Sequence, residues 1–167
     1  VVLEQSPASE AGLVWNLGWD GEMASTHDIG RFTALRGWTR GERAGRWTVG
    51  RMTVFAVDAP QGGPWLLEIE GRTQVAGADG TSQRVQVTVN RSRCDDLILT
   101  TETTTARTPV ELRRGRNVVV LRLEKAASPH DLGVGDDRRV LGMVASTIRL
   151  TPASDEPDDL TPPLPPE

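Results

Sequence analysis

The chain has 167 residues, enough for one domain with a buried core, and 37% of them are hydrophobic. Its formal net charge is −4, but residues 151–167 hold five acids and no base, so the first 150 residues carry 19 basic and 18 acidic groups. So even a balance gives no prediction of nucleic-acid binding, which requires a strongly basic face. The single cysteine excludes an intramolecular disulfide framework, and no apolar run is long enough for a transmembrane helix.

The first 36 residues give the least clear pattern. LVWNLGW (13–19) is compatible with a strand, and residues 22–35 are compatible with a short helical turn. Four of the five tryptophans fall between positions 15 and 47. Such a cluster indicates either a local core or a binding face.

Beyond residue 50 the dominant signal has a period of two. QRVQVTVN (83–90) alternates valines with polar residues, which is typical of a half-buried strand. Further strands are predicted over 51–58, 65–71, 95–100, 117–124 and 144–150. The valine run at 118–120 suggests burial on both faces, and 101–112 reads as a polar edge strand broken by Pro109.

Short strands separated by Gly/Pro turns predict an all-β fold, an antiparallel β-sandwich of jelly-roll-like form. Residues 1–151 are expected to form this single domain. Residues 152–167 contain six prolines and no periodicity. We expect them to form a disordered acidic tail or linker, because they cannot bury enough apolar surface to order themselves.

Three motifs lie in a fixed order along the chain. Gly37-Trp38 is followed by Glu42 and Gly45-Arg46-Trp47, strand 85–90 ends in Val89-Asn90, and SPHDLG (128–133) precedes DDRRVLG (136–142). Over residues 37–150 this order resembles a family of non-catalytic β-sandwich accessory domains attached to bacterial glycosyltransferases and other surface-polysaccharide assembly proteins. The resemblance implies a glycan or a parent glycosyltransferase in a longer chain as the partner, and it leaves the side of the membrane open.

The sequence departs from this pattern at one turn. Arg91 stands where the family has glycine after the asparagine, which predicts a different turn type.

GWTRGERAGRW (37–47) combines indole faces, on which a pyranose ring can pack, with polar groups that suit sugar hydroxyls. A glycan site is therefore predicted from Trp19, Trp38, Arg40, Glu42 and Arg46. The alternative is that Trp38 and Trp47 pack beneath a sandwich edge, since tryptophan is a large core residue that needs one N–H partner. We assign Trp47 to this structural role.

The segment 128–139 is rich in charged residues. Asp137 and Arg139 are predicted to form a structural pair that pins the loop before the last strand, although an arginine fork could also grip an anionic glycan. Asp131, Asp136 and Asp137 leave calcium possible as a ligand, but no EF-hand spacing is present. Two histidines and one cysteine do not form a zinc motif.

Catalytic motifs are missing from the sequence. Ser128, His130 and Asp131 lie within four residues of each other, whereas triad members normally come from separate elements. There is no GxSxG motif and no phosphate loop. The chain is therefore predicted to be a non-catalytic glycan-binding accessory module that needs no cofactor. The second hypothesis is a structural or protein-interaction module that docks on a parent enzyme or a partner subunit. The third is an esterase or deacetylase.

Overall fold

The computed structural model describes residues 12–17, 31–40, 42, 44–76 and 80–153. Eleven strands form in this part of the chain: β1 (Leu13–Asn16), β2 (Phe32–Arg36), β3 (Arg46–Val49), β4 (Met52–Ala59), β5 (Gly63–Thr73), β6 (Ser82–Val89), β7 (Ser92–Arg93), β8 (Leu97–Thr100), β9 (Thr104–Leu112), β10 (Gly115–Leu123) and β11 (Leu141–Pro152). None of the described segments forms a helix that could cross a membrane.

The strands form two antiparallel sheets. In the five-stranded sheet the order is β1-β11-β5-β9, and β3 also pairs with β11. In the six-stranded sheet the order is β2-β4-β10-β6-β7, and β8 also pairs with β6. The predicted all-β, antiparallel, jelly-roll-like sandwich is confirmed.

Alternating residues of both sheets fill one core between them. Strand β6 shows the pattern most clearly, because its inward valines are buried while Arg84 and Gln86 point to solvent. The facing sheet contributes Leu67, Ile69 and Ile148, none of which has exposed surface. Burial of each such side chain contributes about 1.5–3 kcal/mol to folding. Because these apolar faces must point inward, the polar residues between them lie on the outer faces, where they can bind other molecules.

Three local predictions need correction. Pro109 does not break its strand: β9 runs through it at the edge of the five-stranded sheet, where a missing N–H costs no ladder hydrogen bond. Val118 and Val120 are only partly buried, so β10 is covered on one face rather than two. The helical turn expected within 22–35 is not found in its described portion, where Phe32 begins β2.

Candidate functional site

The described residues of GWTRGERAGRW (37–40, 42 and 44–47) form a hairpin arm that runs into β3. Glu42 and Gly45 exchange backbone hydrogen bonds of 2.7 and 3.0 Å at its tip. Further back, the amide of Thr39 donates to the carbonyl of Trp47 (2.9 Å), and the Thr39 hydroxyl accepts from the amide of Trp47 (3.0 Å). Gly45 has a φ of 130°, and a Cβ at this position would collide with the carbonyl oxygen of Ala145. Only glycine lets the arm lie this close to β11.

Trp38 is partly buried and joins an aromatic cluster. Its ring meets Trp15 edge-on at a centroid distance of 5.5 Å and Phe55 at 6.4 Å. Its indole N–H donates to the carbonyl of Val54 (3.1 Å). The N–H therefore has a partner inside the protein, and any ligand would meet only the remaining exposed part of the ring.

Trp47 and Arg46 pack on opposite sides of β3. Trp47 is buried with Leu141 and Val144, and the guanidinium of Arg72 lies 5.1 Å from the centre of its ring. The guanidinium of Arg46 lies 5.6 Å from the centre of the Trp15 ring, within cation–π distance. Both side chains thus contribute to the packing of the sandwich.

Glu42 is linked to the loop before β11. Arg139 donates to both carboxylate oxygens of Asp137, with a shortest distance of 2.6 Å, and also to Oε1 of Glu42 at 3.2 Å. Hydrogen bonds from the Arg139 side chain lower the pKa of Asp137, and the Asp137 side chain raises that of Arg139. Two motifs that lie far apart in the sequence meet through this one guanidinium.

The remaining predicted residues lie elsewhere. Arg40 is exposed on the hairpin arm, and its carbonyl accepts a hydrogen bond from the Thr39 hydroxyl (3.0 Å). Trp19 lies outside the described residues. Of the four predicted glycan contacts that the structure describes, Glu42 and Arg46 have partners within the protein, Trp38 is partly buried and Arg40 is exposed.

The loop over 128–140 provides neither a nucleophile nor a calcium cage among the described residues. Ser128 is buried, and its Oγ accepts a hydrogen bond from the amide of Asp131 (3.0 Å), which is a turn-closing role. Asp137 is held by arginine, and no described group of three or more His, Cys, Asp or Glu side chains is arranged to bind a metal. Burial raises the pKa of the Cys94 thiol, which disfavours the reactive thiolate.

A groove crosses the outer face of the six-stranded sheet, at the end where β4 begins and β10 ends. One depression of about 300 Å³ is lined by residues that include Arg51, Met52, Arg84, Gln86 and Arg122. A second depression of about 440 Å³ is lined by residues that include Arg36, Trp38, Val49, Arg51 and Met52. Arg51 and Met52 line both depressions. The two depressions therefore form one continuous surface, which we call the arginine groove.

Strand register brings these side chains together. Arg122 of β10 lies opposite Met52 on one side and Gln86 on the other, so three strands contribute one outward-facing row. Arg51 is held beside this row because its Nε donates to the carbonyl of Leu123 (3.1 Å), whose amide donates back to Arg51 (2.7 Å). The floor of the smaller depression is therefore largely regular sheet, whereas Gly37, Gly50 and Arg51 of the larger depression lie between strands.

The groove is rich in positive charge. Its four guanidinium groups belong to Arg36, Arg51, Arg84 and Arg122. Within the described part of the chain none of the four forms an ion pair with a carboxylate. Asp96 and Glu124 also line the groove, and Asp96 binds Arg93 at 3.1 Å. Guanidinium donors outnumber carboxylates, so the surface suits an anionic group.

Sequence reasoning missed these arginines. Arg84 occupies an outward position of the strand predicted from its alternating pattern, whereas Arg122 lies in a strand that was expected to be buried on both faces. The pairing register that makes them neighbours cannot be predicted from the sequence of either strand alone.

Comparison with known proteins gives only distant similarity. No family model and no curated protein matches the chain. A family 35 carbohydrate-binding module from an environmental isolate is 20% identical over 70% of this chain and 77% of its own, with a TM-score of 0.41. A family 35 module from Clostridium thermocellum is 14% identical over 86% and 99%, with a TM-score of 0.46.

A third solved structure, Xyl-CBM35, is in complex with a disaccharide that contains glucuronic acid. It is 17% identical over 86% of this chain and 89% of its own, with a TM-score of 0.43. All three TM-scores lie below 0.5. The function proposed below therefore rests on the side chains of this chain alone.

Proposed function

We propose that this protein is a non-catalytic carbohydrate-binding module whose arginine groove holds an acidic glycan. The observation that carries the proposal is one continuous surface with four guanidinium groups and part of an indole ring. A guanidinium fork pairs with a carboxylate through two parallel hydrogen bonds, and its remaining donors can reach hydroxyl oxygens. A sugar polymer that bears uronate groups supplies both kinds of acceptor.

Trp38 gives the groove its apolar side. It lines the larger depression beside Arg36 and Arg51, where the exposed part of its ring can pack against the C–H bonds of a sugar. Met52 adds an adaptable apolar floor between the two depressions. Of the predicted residues that the structure describes, Trp38 is thus the one that belongs to the proposed site. Glu42 and Arg46 already have partners inside the protein.

The biological setting proposed here rests on the motif order GW…E…GRW, VN and SP…LG…DxRxLG. A bacterial surface-glycan pathway, with a glycosyltransferase in the same longer chain, would give the module its role. Tethering would raise the effective concentration of the acceptor glycan near the catalytic domain.

Calorimetric titration tests the proposal. We expect saturable binding of polygalacturonate, and weaker or no binding of its fully methyl-esterified form, which keeps the sugar backbone but loses the charge. Arg84→Gln and Arg122→Gln are each expected to reduce the affinity by about 10-fold or more, as loss of a charged hydrogen bond of about 1.5–3 kcal/mol implies. Arg107→Gln is the matched control, because Arg107 lies on the outer face of the other sheet.

Two results would overturn this assignment. Equal affinity for the charged and esterified polymers would show that the guanidinium groups do not bind the carboxylates. Absence of binding across uronate, sulfated and phosphorylated polysaccharides would remove the glycan function altogether.

A protein-interaction module is the second candidate function. The loop over 128–140 exposes Leu132, Val134 and Val140, and Val134 is 71% exposed. The same loop carries Arg139, which binds Glu42 of the hairpin arm. A stable complex with a neighbouring domain that Val134→Asp abolishes, in the absence of any glycan affinity, would favour this candidate.

A further inference from the structure

A second group of arginines lies at the end of the sandwich opposite the arginine groove. Turns β6–β7 and β9–β10 meet there, and they carry four exposed arginines: Arg91, Arg113, Arg114 and Arg116. We call this group the arginine end. None of its four guanidinium groups is ion-paired with a carboxylate in the part of the chain that the structure describes. It takes no part in the function proposed above.

A pair of asparagines, the buried Asn117 and the partly buried Asn90, holds the two turns together. Asn90 Nδ2 donates to Asn117 Oδ1 (2.8 Å), and the amide of Val118 donates to Asn90 Oδ1 (2.9 Å). Asn117 also binds the backbone of Arg113 in both directions, at 2.9 Å each. The arginines therefore project from a rigid base.

Two acids moderate the charge of this end. Asp58 lies opposite Arg116 in the β4–β10 register, and Glu111 precedes the β9–β10 turn on an exposed position. Four guanidinium groups against two carboxylates leave the surface positive. It suits an extended acidic segment better than a single small anion, because the charges are spread over two turns.

An acidic segment of the same chain starts beside this surface. The amide of Ala153 donates to the carbonyl of Pro64 (2.9 Å), and Pro64 pairs with Glu111 in the β5–β9 register. Ala153 thus lies two strand spacings, roughly 10 Å, from β9 just before the arginine turn. Two residues later the sequence reads DEPDD (155–159), four acids in five positions.

We propose that the acidic segment 155–159 binds the arginine end of its own chain. Five residues of extended chain span at most about 18 Å, which is enough to cross from the β11 side to the turn that carries Arg113 and Arg114. Proline at 157 favours an extended backbone, and short tethers give effective concentrations in the millimolar range. The contact keeps the segment away from the arginine groove at the opposite end of the sheet.

Paramagnetic relaxation in the full 167-residue chain tests this contact. Thr161→Cys carries a nitroxide label, and Cys94→Ser removes the native thiol. We expect a loss of amide peak intensity at Arg91 and over 113–116, with none at Gly50 in the arginine groove. Raising the salt from 0.1 to 1 M shortens the Debye length from about 10 to about 3 Å, so the intensities are expected to recover.

Charge variants make the result decisive. Arg113→Gln with Arg114→Gln is expected to abolish the intensity loss at Arg91, whereas Arg84→Gln with Arg122→Gln, which removes the same charge at the other end, leaves it unchanged. Equal loss in both double variants, or no loss in the parent chain, would overturn the proposal. Loss that appears only when labelled and isotope-enriched chains are mixed would assign the contact to a second copy and would also overturn it.

Discussion

Arg91 occupies a backbone conformation that normally belongs to glycine. It is the second residue of the two-residue turn between β6 and β7, where Val89 pairs with Ser92. Asn90 has a φ of 49° and Arg91 a φ of 72°. Two positive φ angles define the mirror-image hairpin turn that prefers Asn-Gly, so the turn keeps the Asn-Gly form although arginine has replaced glycine. The prediction that Arg91 changes the turn type is therefore wrong.

Arg91→Gly is expected to stabilise the protein. A left-handed backbone costs a non-glycine residue about 1–2 kcal/mol. Part of this gain in stability, about 0.5–1 kcal/mol, is lost again, because glycine has more conformational freedom in the unfolded chain and gives it up on folding. The net gain in the free energy of unfolding is about 0.5–1 kcal/mol, or about 1–4 °C in Tm for a chain of this size.

Urea unfolding followed by tryptophan fluorescence measures this change. Arg91→Ala is the control, because it removes the guanidinium group but keeps a Cβ at the same φ. We expect the alanine variant to stay within a few tenths of a kcal/mol of the parent. If alanine stabilised the protein as much as glycine, relief of charge repulsion at the arginine end would be the cause, and the backbone argument would be refuted.

Three further predictions concern other parts of the sandwich. Gly71→Ala is expected to cost about 1–3 kcal/mol, because its Cβ would collide with the carbonyl oxygen of Val144, while Gly135→Ala, with its nearest contact at 3.6 Å, changes little in the same unfolding assay. Asn117→Ala removes four hydrogen bonds from a buried site and is expected to cost about 2–4 kcal/mol; a loss below 1 kcal/mol would contradict the network. The pKa of Asp137 is lowered in the folded state, so its ion pair is complete above the unfolded value of about 3.9 and is lost as pH falls below it. Amide protection over 128–140 is expected to drop between about pH 4 and 2, and Asp137→Asn is expected to remove that pH dependence.

The candidate site could be predicted only in part. Trp38 stood out in the sequence because indole, glycine and charge occur together, and its indole does line the arginine groove. Arg84 did not stand out because it reads as an ordinary outward position of a strand, and Arg122 did not because its strand was expected to be buried on both faces. Only the antiparallel register, which sets Arg122 beside Gln86 and Met52, makes a surface of them.

The sequence by itself determined the fold class of this protein. Alternation of apolar and polar residues needs no knowledge of neighbours, because successive side chains of a strand point to opposite faces whatever the strand pairs with. Glycine and proline turns likewise act locally and divided the chain into strands.

Only the tertiary structure decided which side chains of those strands come together. Arg139 joins Glu42 across 97 positions of sequence, and Asn117 joins Asn90 across 27. Such contacts depend on which strands pair and in which register, and register is set by the burial of whole faces rather than by any single segment. For that reason Glu42, Arg46 and Trp47 of the hairpin arm contact other parts of the sandwich, while Trp38 lines the arginine groove. Arginines scattered along separate strands and turns became two arginine-rich surfaces.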